Sequence, residues 1–196
     1  MDALILSGGG ARRMGGRTKA FLLLGGRSFI ERIVETVTPL VDSVILSTNE
    51  PERYGHLGVR IVADAEQGGG PLLGIRAGLQ ASTADACFVA AADAPLLQPA
   101  LVRLLSARER DCEAVVPIWG GKVEPLCAVY SRRCLPAIER SLDQGRIVSF
   151  FPFVRVCWVP EDEVRAADPR GLSFINVNTP EDLRRLRRLD GELTPP

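Results

Sequence analysis

The chain has 196 residues, 46% of them hydrophobic, and its 24 Lys plus Arg are balanced by 24 Asp plus Glu. That length and apolar content suit one domain with a core of its own, and the zero net charge argues against a bulk nucleic-acid binder, which carries a basic excess. No apolar run approaches the roughly 18 residues of a membrane-spanning helix, and no basic leader precedes an apolar stretch, so a cytoplasmic protein with no membrane or nucleic-acid partner is expected.

The first predicted element is a strand over residues 2–7. It breaks into Ser7-Gly8-Gly9-Gly10-Ala11-Arg12-Arg13-Met14-Gly15-Gly16-Arg17-Thr18-Lys19, which holds five glycines, four cations and no acid. Glycine has no Cβ, so the backbone can approach a ligand closely and turn its amides inward as an anion cradle. The arginines and Lys19 add full positive charge. Such a loop after a first strand fits polyphosphate binding; the alternative is a surface turn with solvated arginines. It is neither of the two commonest glycine loops. A P-loop needs Lys directly after its last glycine, but Gly15 is followed by Gly16; a dinucleotide fingerprint starting at Gly8 needs glycine where Arg13 stands.

A helix is predicted over 28–39, with Phe29, Ile30, Ile33, Val34 and Val37 at helical spacing and Ser28 and Glu31 as a capping box. Strands at 43–48 and 59–63 follow. A glycine turn then leads into a helix over 71–82, with Gly70 before it and Pro71 at its first position, where free amides can meet a ligand. Next come a strand at 86–92, a helix at 98–108, a strand at 114–118, and helices at 131–143 and 179–189. Residues 119–130 and 145–175 are less regular and read as antiparallel or edge strands. The polar, proline-ended stretch 190–196 reads as a frayed tail. Continuously apolar strands alternating with helices predict a three-layer α/β/α fold with a mostly parallel sheet.

The five cysteines, at 87, 112, 127, 134 and 157, show no C-x-x-C pair, and His56 is the only histidine. Neither a zinc site nor a disulfide framework is expected. Cys87, Cys127 and Cys157, in apolar runs, read as small buried hydrophobes.

Ligands of open parallel sheets bind beyond the carboxyl ends of the strands. There the sequence places the glycine-rich loop, Ser47-Thr48-Asn49, Asp64 and Asp93. Asp93 ends an apolar strand, and a carboxylate in such a place wants a cation. A phosphate-bound Mg²⁺ is an apt partner; capping the turn before Pro95 is the alternative, and Asp64 has a similar turn reading. Lys19, placed to reach back, can neutralise phosphate charge. Near the C-terminus, Thr179, Pro180 and Asp182 have the grammar of a helix start. Asn176 and Asn178 share a face if they lie on a strand, presenting paired amides to a polar ligand or only holding a turn.

Taken in order, Leu6 to Gly16 with Lys19, Gly70-Pro71-Leu72-Leu73-Gly74, Asp93-Ala94-Pro95, Glu124-Pro125-Leu126-Cys127-Ala128-Val129-Tyr130 and Asn176-Val177-Asn178-Thr179-Pro180-Glu181-Asp182-Leu183 resemble the signature blocks of the molybdenum cofactor guanylyltransferases. The resemblance runs from residue 4 to residue 189. It implies a Rossmann-like nucleotidyltransferase domain over 1–189 that transfers GMP from GTP to molybdopterin with release of pyrophosphate. It implies that Leu6, Ser7, Gly8, Gly9 and Lys19 bind GTP together with Gly70 and Pro71, that Asp64 contacts the nucleotide, and that Asp93 binds Mg²⁺. Arg13 would join Lys19 on the triphosphate, while Asn176, Asn178 and Arg146 would face the pterin phosphate. Molybdopterin-inserting proteins or acceptor molybdoenzymes would be its protein partners. Two positions depart from the family pattern. Thr18 stands where aspartate is usual before the lysine. Ser47 stands where an asparagine helps recognise guanine, and a hydroxyl offers fewer bonds than an amide. A cytidylyltransferase, a sugar- or alcohol-phosphate nucleotidyltransferase, and a non-catalytic carrier are the rival readings.

Overall fold

The computed structural model describes residues 1–8, 18–63, 70–108 and 111–193. In chain order its elements are β1 (Asp2–Ser7), β2 (Leu23–Leu24), β3 (Arg27–Ser28), α1 (Phe29–Val37), β4 (Val44–Thr48), β5 (Arg60–Val62), α2 (Pro71–Ala81), β6 (Ala86–Ala91), α3 (Pro99–Ser106), β7 (Ala114–Trp119), β8 (Lys122–Val123), β9 (Cys127–Ser131), α4 (Leu135–Glu139), β10 (Val156–Val159), α5 (Glu161–Ala167) and α6 (Pro180–Leu193). The main sheet runs β10-β7-β9-β6-β1-β4-β5, with β8 folded back on β7. The pairs β6–β1, β1–β4, β4–β5 and β10–β7 are parallel, and β9 alone in that row opposes both neighbours.

Strand alternation sorts the core into two layers. Ala3, Ile5, Val44, Leu46, Phe88 and Ala90 point to the face covered by α1, α3 and α5. Leu4, Ile45, Cys87 and Val89 point to the face covered by α2, α4 and the 3-10 segment Ile147–Phe153. The predicted three-layer, mostly parallel architecture is therefore observed. A third cluster packs Val177, Leu183 and Leu186 of the C-terminal segment against Leu24, Phe29 and Leu96. The predicted capping box starts α1: Ser28 N donates to Glu31 Oε2 at 2.7 Å, and Ser28 Oγ accepts from Glu31 N.

Helix α2 lies close on β1 because two of its positions lack a side chain. A Cβ on Gly74 would stand 3.0 Å from Ser47 Oγ, and one on Gly78 would stand 2.3 Å from the methyl carbons of Leu4. This close seat is what brings the helix start beside the end of β1.

Two expectations hold in part, and two need correction. Residues 119–130 supply the expected antiparallel strands, β8 and the start of β9, but β9 lies inside the sheet, buried between β6 and β7. The stretch 145–175 supplies the expected edge strand, β10, parallel to β7, and adds a helix, α5. The helix expected over 131–143 is reduced to α4 with 3-10 turns on either side, ended by Gly145 at φ +64°. The tail does not begin at 190, since α6 continues through Asp190, which is buried and paired with Arg32 at 2.7 Å. The cysteine reading is likewise half right. Cys87 and Cys127 are buried thiols, but Cys157 is bonded to Cys112, with Cα atoms 5.8 Å apart. Pairing of β10 with β7 is what makes those two neighbours.

Candidate functional site

The carboxyl ends of β1 and β6 lie side by side, Leu6 opposite Ala91, and Ala92 N donates to Leu6 O at 3.0 Å. The residues that follow each strand therefore meet. They open a cavity of about 320 Å³ lined by Leu6, Ser7, Gly8, Lys19, Ala20, Pro71, Ala91, Ala92, Asp93, Leu126 and Asn178. Among these described lining residues, Lys19 is the one cation and Asp93 the one carboxylate.

Lys19 opens a 3-10 turn, Lys19–Phe21, and its side chain is 8% exposed. Burying an ammonium is tolerable only with partners, and it has two. Lys19 Nζ donates to Asn178 Oδ1 at 2.7 Å and lies 3.4 Å from Asp93 Oδ2. These three residues are brought together from the two ends and the middle of the chain.

Asn178 is held by the start of α6. Asp182 accepts the amides of Asn178 and Thr179 at 2.9 and 2.8 Å, and Thr179 Oγ1 accepts the amide of Asp182 at 3.1 Å. The backbone bond from the Asn178 amide, then the bonds from Thr179, hold the Asp182 carboxyl below its ordinary value. One residue earlier, Val177 N donates to Asp93 O at 3.3 Å, which ties this segment to the carboxyl end of β6.

The opposite wall is the start of α2. Gly70 precedes it at φ +76°, a conformation that favours glycine, and makes no side-chain cap. The first-turn amides of α2, behind Pro71, thus form a helix N-terminus at the cavity wall. Leu126, just before β9, closes another side. Nearby Glu124 has its carboxyl raised by burial, with Lys122 offsetting part of the effect.

Of the predicted site residues, Leu6, Ser7, Gly8, Lys19, Pro71, Asp93 and Asn178 line the cavity, and Gly70 adjoins it. Ser47 does not line it; it is buried in β4, packed beneath Gly74 of α2. Asn176 is exposed and outside the lining, and residues 175–178 are not part of a strand. Arg146 is exposed beside Gly145, whose carbonyl faces Gly70, and is likewise outside the lining. Gly9, Arg13 and Asp64 lie outside the described residues. Sequence reasoning left out Ala20, Leu126 and the strand-end alanines, small or apolar walls that no chemical signal marks. It also left out Tyr54, whose buried hydroxyl sits 2.6 Å from Ser7 Oγ. No described helix is long and apolar enough to cross a membrane.

The sequence matches the family model of the MobA-like NTP transferase domain over residues 3–155. A molybdenum cofactor guanylyltransferase of Desulfosudis oleivorans is 40% identical over 191 residues, spanning 94% of this chain and 95% of the relative. A probable molybdenum cofactor guanylyltransferase of Methanosarcina mazei is 35% identical over 199 residues, spanning 94% of this chain and 89% of the relative. Among solved structures, the molybdopterin-guanine dinucleotide biosynthesis protein A of Archaeoglobus fulgidus superposes with a TM-score of 0.83 at 28% identity, covering 98% of this chain and 100% of that one.

Proposed function

The chain belongs to the family of MobA-like NTP transferase domains, and from that premise we propose that it transfers GMP from GTP to molybdopterin cofactor, releasing pyrophosphate. The observation that carries this reading is the meeting of Lys19, Asp93 and Asn178 beside the helix start of α2. A buried ammonium and helix amides that follow a glycine N-cap suit a polyphosphate.

The terminal phosphate oxygen of molybdopterin attacks the α-phosphorus of GTP in line. A new P–O bond forms as the bond from the α-phosphorus to the bridging oxygen breaks, and that electron pair leaves on pyrophosphate. The nucleophile is already an anion, so no general base is required. Lys19 neutralises charge on the triphosphate and orients it, and the amides at the end of β1 and the start of α2 help bind it. Asn178 presents its amide toward the acceptor, with Asn176 and Arg146 assigned to the acceptor side beyond the cavity. Gly9, Arg13 and Asp64 keep the roles their sequence blocks imply.

Among the described residues, no cluster of three or more His, Cys, Asp or Glu forms a ready-made metal cage. One carboxylate completed by phosphate oxygens and water is a donor set that Mg²⁺ accepts. Asp93 fits an ion that arrives with the nucleotide, and that ion would supply further charge neutralisation on the phosphates. The expectation of a cytoplasmic protein accords with a reaction that consumes GTP.

Pyrophosphate release with molybdopterin present, measured with GTP, CTP and UTP, tests the proposal. GTP should be turned over well ahead of the pyrimidine nucleotides. A preference for CTP overturns the guanylyl assignment, and nucleotide binding without pyrophosphate release points to a carrier.

A further inference from the structure

After β4 the chain turns through Glu50–Tyr54, a stretch outside the cavity that nevertheless reaches both ends of the glycine-rich basic segment. Tyr54 is fully buried, and its hydroxyl is 2.6 Å from Ser7 Oγ at the carboxyl end of β1. Arg53 donates to Thr18 Oγ1 and, at 2.8 Å, to Glu50 Oε2. Thr18 Oγ1 in turn donates to Glu50 Oε2 at 3.4 Å. The guanidinium carbon of Arg53 also lies over the Phe21 ring, 4.6 Å from its centre, and Phe21 packs 4.9 Å from Tyr54.

These contacts bracket Lys19. Its 3-10 turn is three residues long, too short to hold a shape of its own. Its place has to come from tertiary contacts. Thr18 on one side of Lys19 and Phe21 on the other are both held by Arg53, one by a hydrogen bond and one by the cation over its ring. A lysine cannot do both, since its ammonium is a point charge without a flat face. Fixing the backbone at Lys19 leaves only its side-chain torsions to order on the way to Asn178 and Asp93. Tyr54 does the corresponding task at Ser7, which lines the cavity on the other side of the segment.

We propose that Arg53 and Tyr54 are positioning residues of the transfer reaction: the Glu50–Tyr54 turn holds Ser7 and Lys19 in mutual register, and Arg53 acts through Lys19. This rests on the functional reading above, in which Lys19 acts on the triphosphate. Neither residue touches the cavity, so neither is a catalytic group.

The test is a double-mutant cycle in the full-length chain, with kcat and KM read from pyrophosphate release and folding read from thermal melts. Arg53→Met should lower kcat about tenfold, and Arg53→Lys should recover little of it despite keeping the charge. In a Lys19→Met background, adding Arg53→Met should change kcat less than about twofold, because coupled groups are non-additive. Tyr54→Phe keeps the ring on Phe21 and removes only the hydroxyl; it should raise KM for the nucleotide about threefold with kcat nearly unchanged. Equal losses from Arg53→Met in both backgrounds, or a kcat in Arg53→Met close to that of the unaltered chain, overturn the positioning role while leaving the function standing. A Lys19→Met variant with undiminished kcat overturns both the positioning role and the part given to Lys19 on the triphosphate.

Discussion

Replacing Lys19 by Met removes one ammonium from the cavity while keeping a similar unbranched apolar stem in its buried slot. The Nζ lies 3.4 Å from Asp93 Oδ2, with the carboxylate side chain 27% exposed. Two unit charges at that distance attract by about 5 kcal/mol at an effective dielectric of 20, a ceiling on what one cation does to one phosphate oxygen at similar range. Only the part that grows between bound substrate and transition state raises kcat. Loss of one preorganised charge-stabilising group costs roughly 10²–10³ in kcat. We therefore predict a kcat lowered about 10²-fold in Lys19→Met, with KM for GTP raised only a few fold. Stability should change little. Asn178 Oδ1 loses its donor, but Asn178 is exposed to water, so the loss is about 1 kcal/mol and a few degrees in Tm. Steady-state pyrophosphate release beside a thermal melt separates the two effects. A folded Lys19→Met enzyme with kcat within a fewfold of the unaltered chain refutes the role given to this ammonium.

Three further outcomes follow from the packing and titration of the chain. Gly78→Ala sets a Cβ 2.3 Å from the Leu4 methyl carbons, and Leu4 is fully buried; overpacking of roughly 1–3 kcal/mol, offset in part by about 1 kcal/mol of helix propensity, should leave a net loss in urea unfolding. Burial pushes the Cys87 thiol up to about 11 and the Cys134 thiol up to about 12, and raises Cys127 further. Thiolate is the reactive form, so a thiol reagent at pH 8 should find none of the three in the native protein, all three after unfolding, and five once the Cys112–Cys157 bond is reduced. The Asp182 carboxyl is held below its usual 3.8 by the amides it caps. Its support for the Asn178 turn is full above that value and is lost as pH falls through the lowered one; Asp182→Asn should flatten the decline of Tm below about pH 4.

The parts of the fold legible in the sequence are those set by local pattern. The apolar runs of β1, β4 and β6, the Ser28–Glu31 cap and Pro71 at the head of α2 each carry their signal within a few residues. So does the Thr179–Asp182 box, which is why the segment holding Asn178 could be read before its contact with Lys19 was known. What escaped depends on distant pairing. Cys127-Ala128-Val129-Tyr130 could be read as an antiparallel or edge strand, but nothing local says that it inserts between β6 and β7 at the centre of the sheet. Cys112 and Cys157 are 45 residues apart and become neighbours only through the β10–β7 pairing. Asp190 looks like the start of a polar tail until Arg32, 158 residues away in sequence, closes on it. At the site, chemistry-bearing residues such as Lys19 and Asp93 announced themselves. Less legible was which of the marked polar residues line the cavity: Ser47 lies under Gly74 of α2, and Asn176 is exposed outside the lining.

The claim on which the account rests is that the glycine-rich amino-terminal segment and Asp93 serve one triphosphate. A crystal structure with a non-hydrolysable GTP analogue and Mg²⁺ tests it most directly. The account predicts phosphate oxygens within hydrogen-bond reach of Lys19 Nζ, about 3 Å, with the metal on Asp93. A nucleotide seated elsewhere, for example in the cleft beside Arg27 and Arg32, with Lys19 still closed on Asn178 and Asp93, would contradict it.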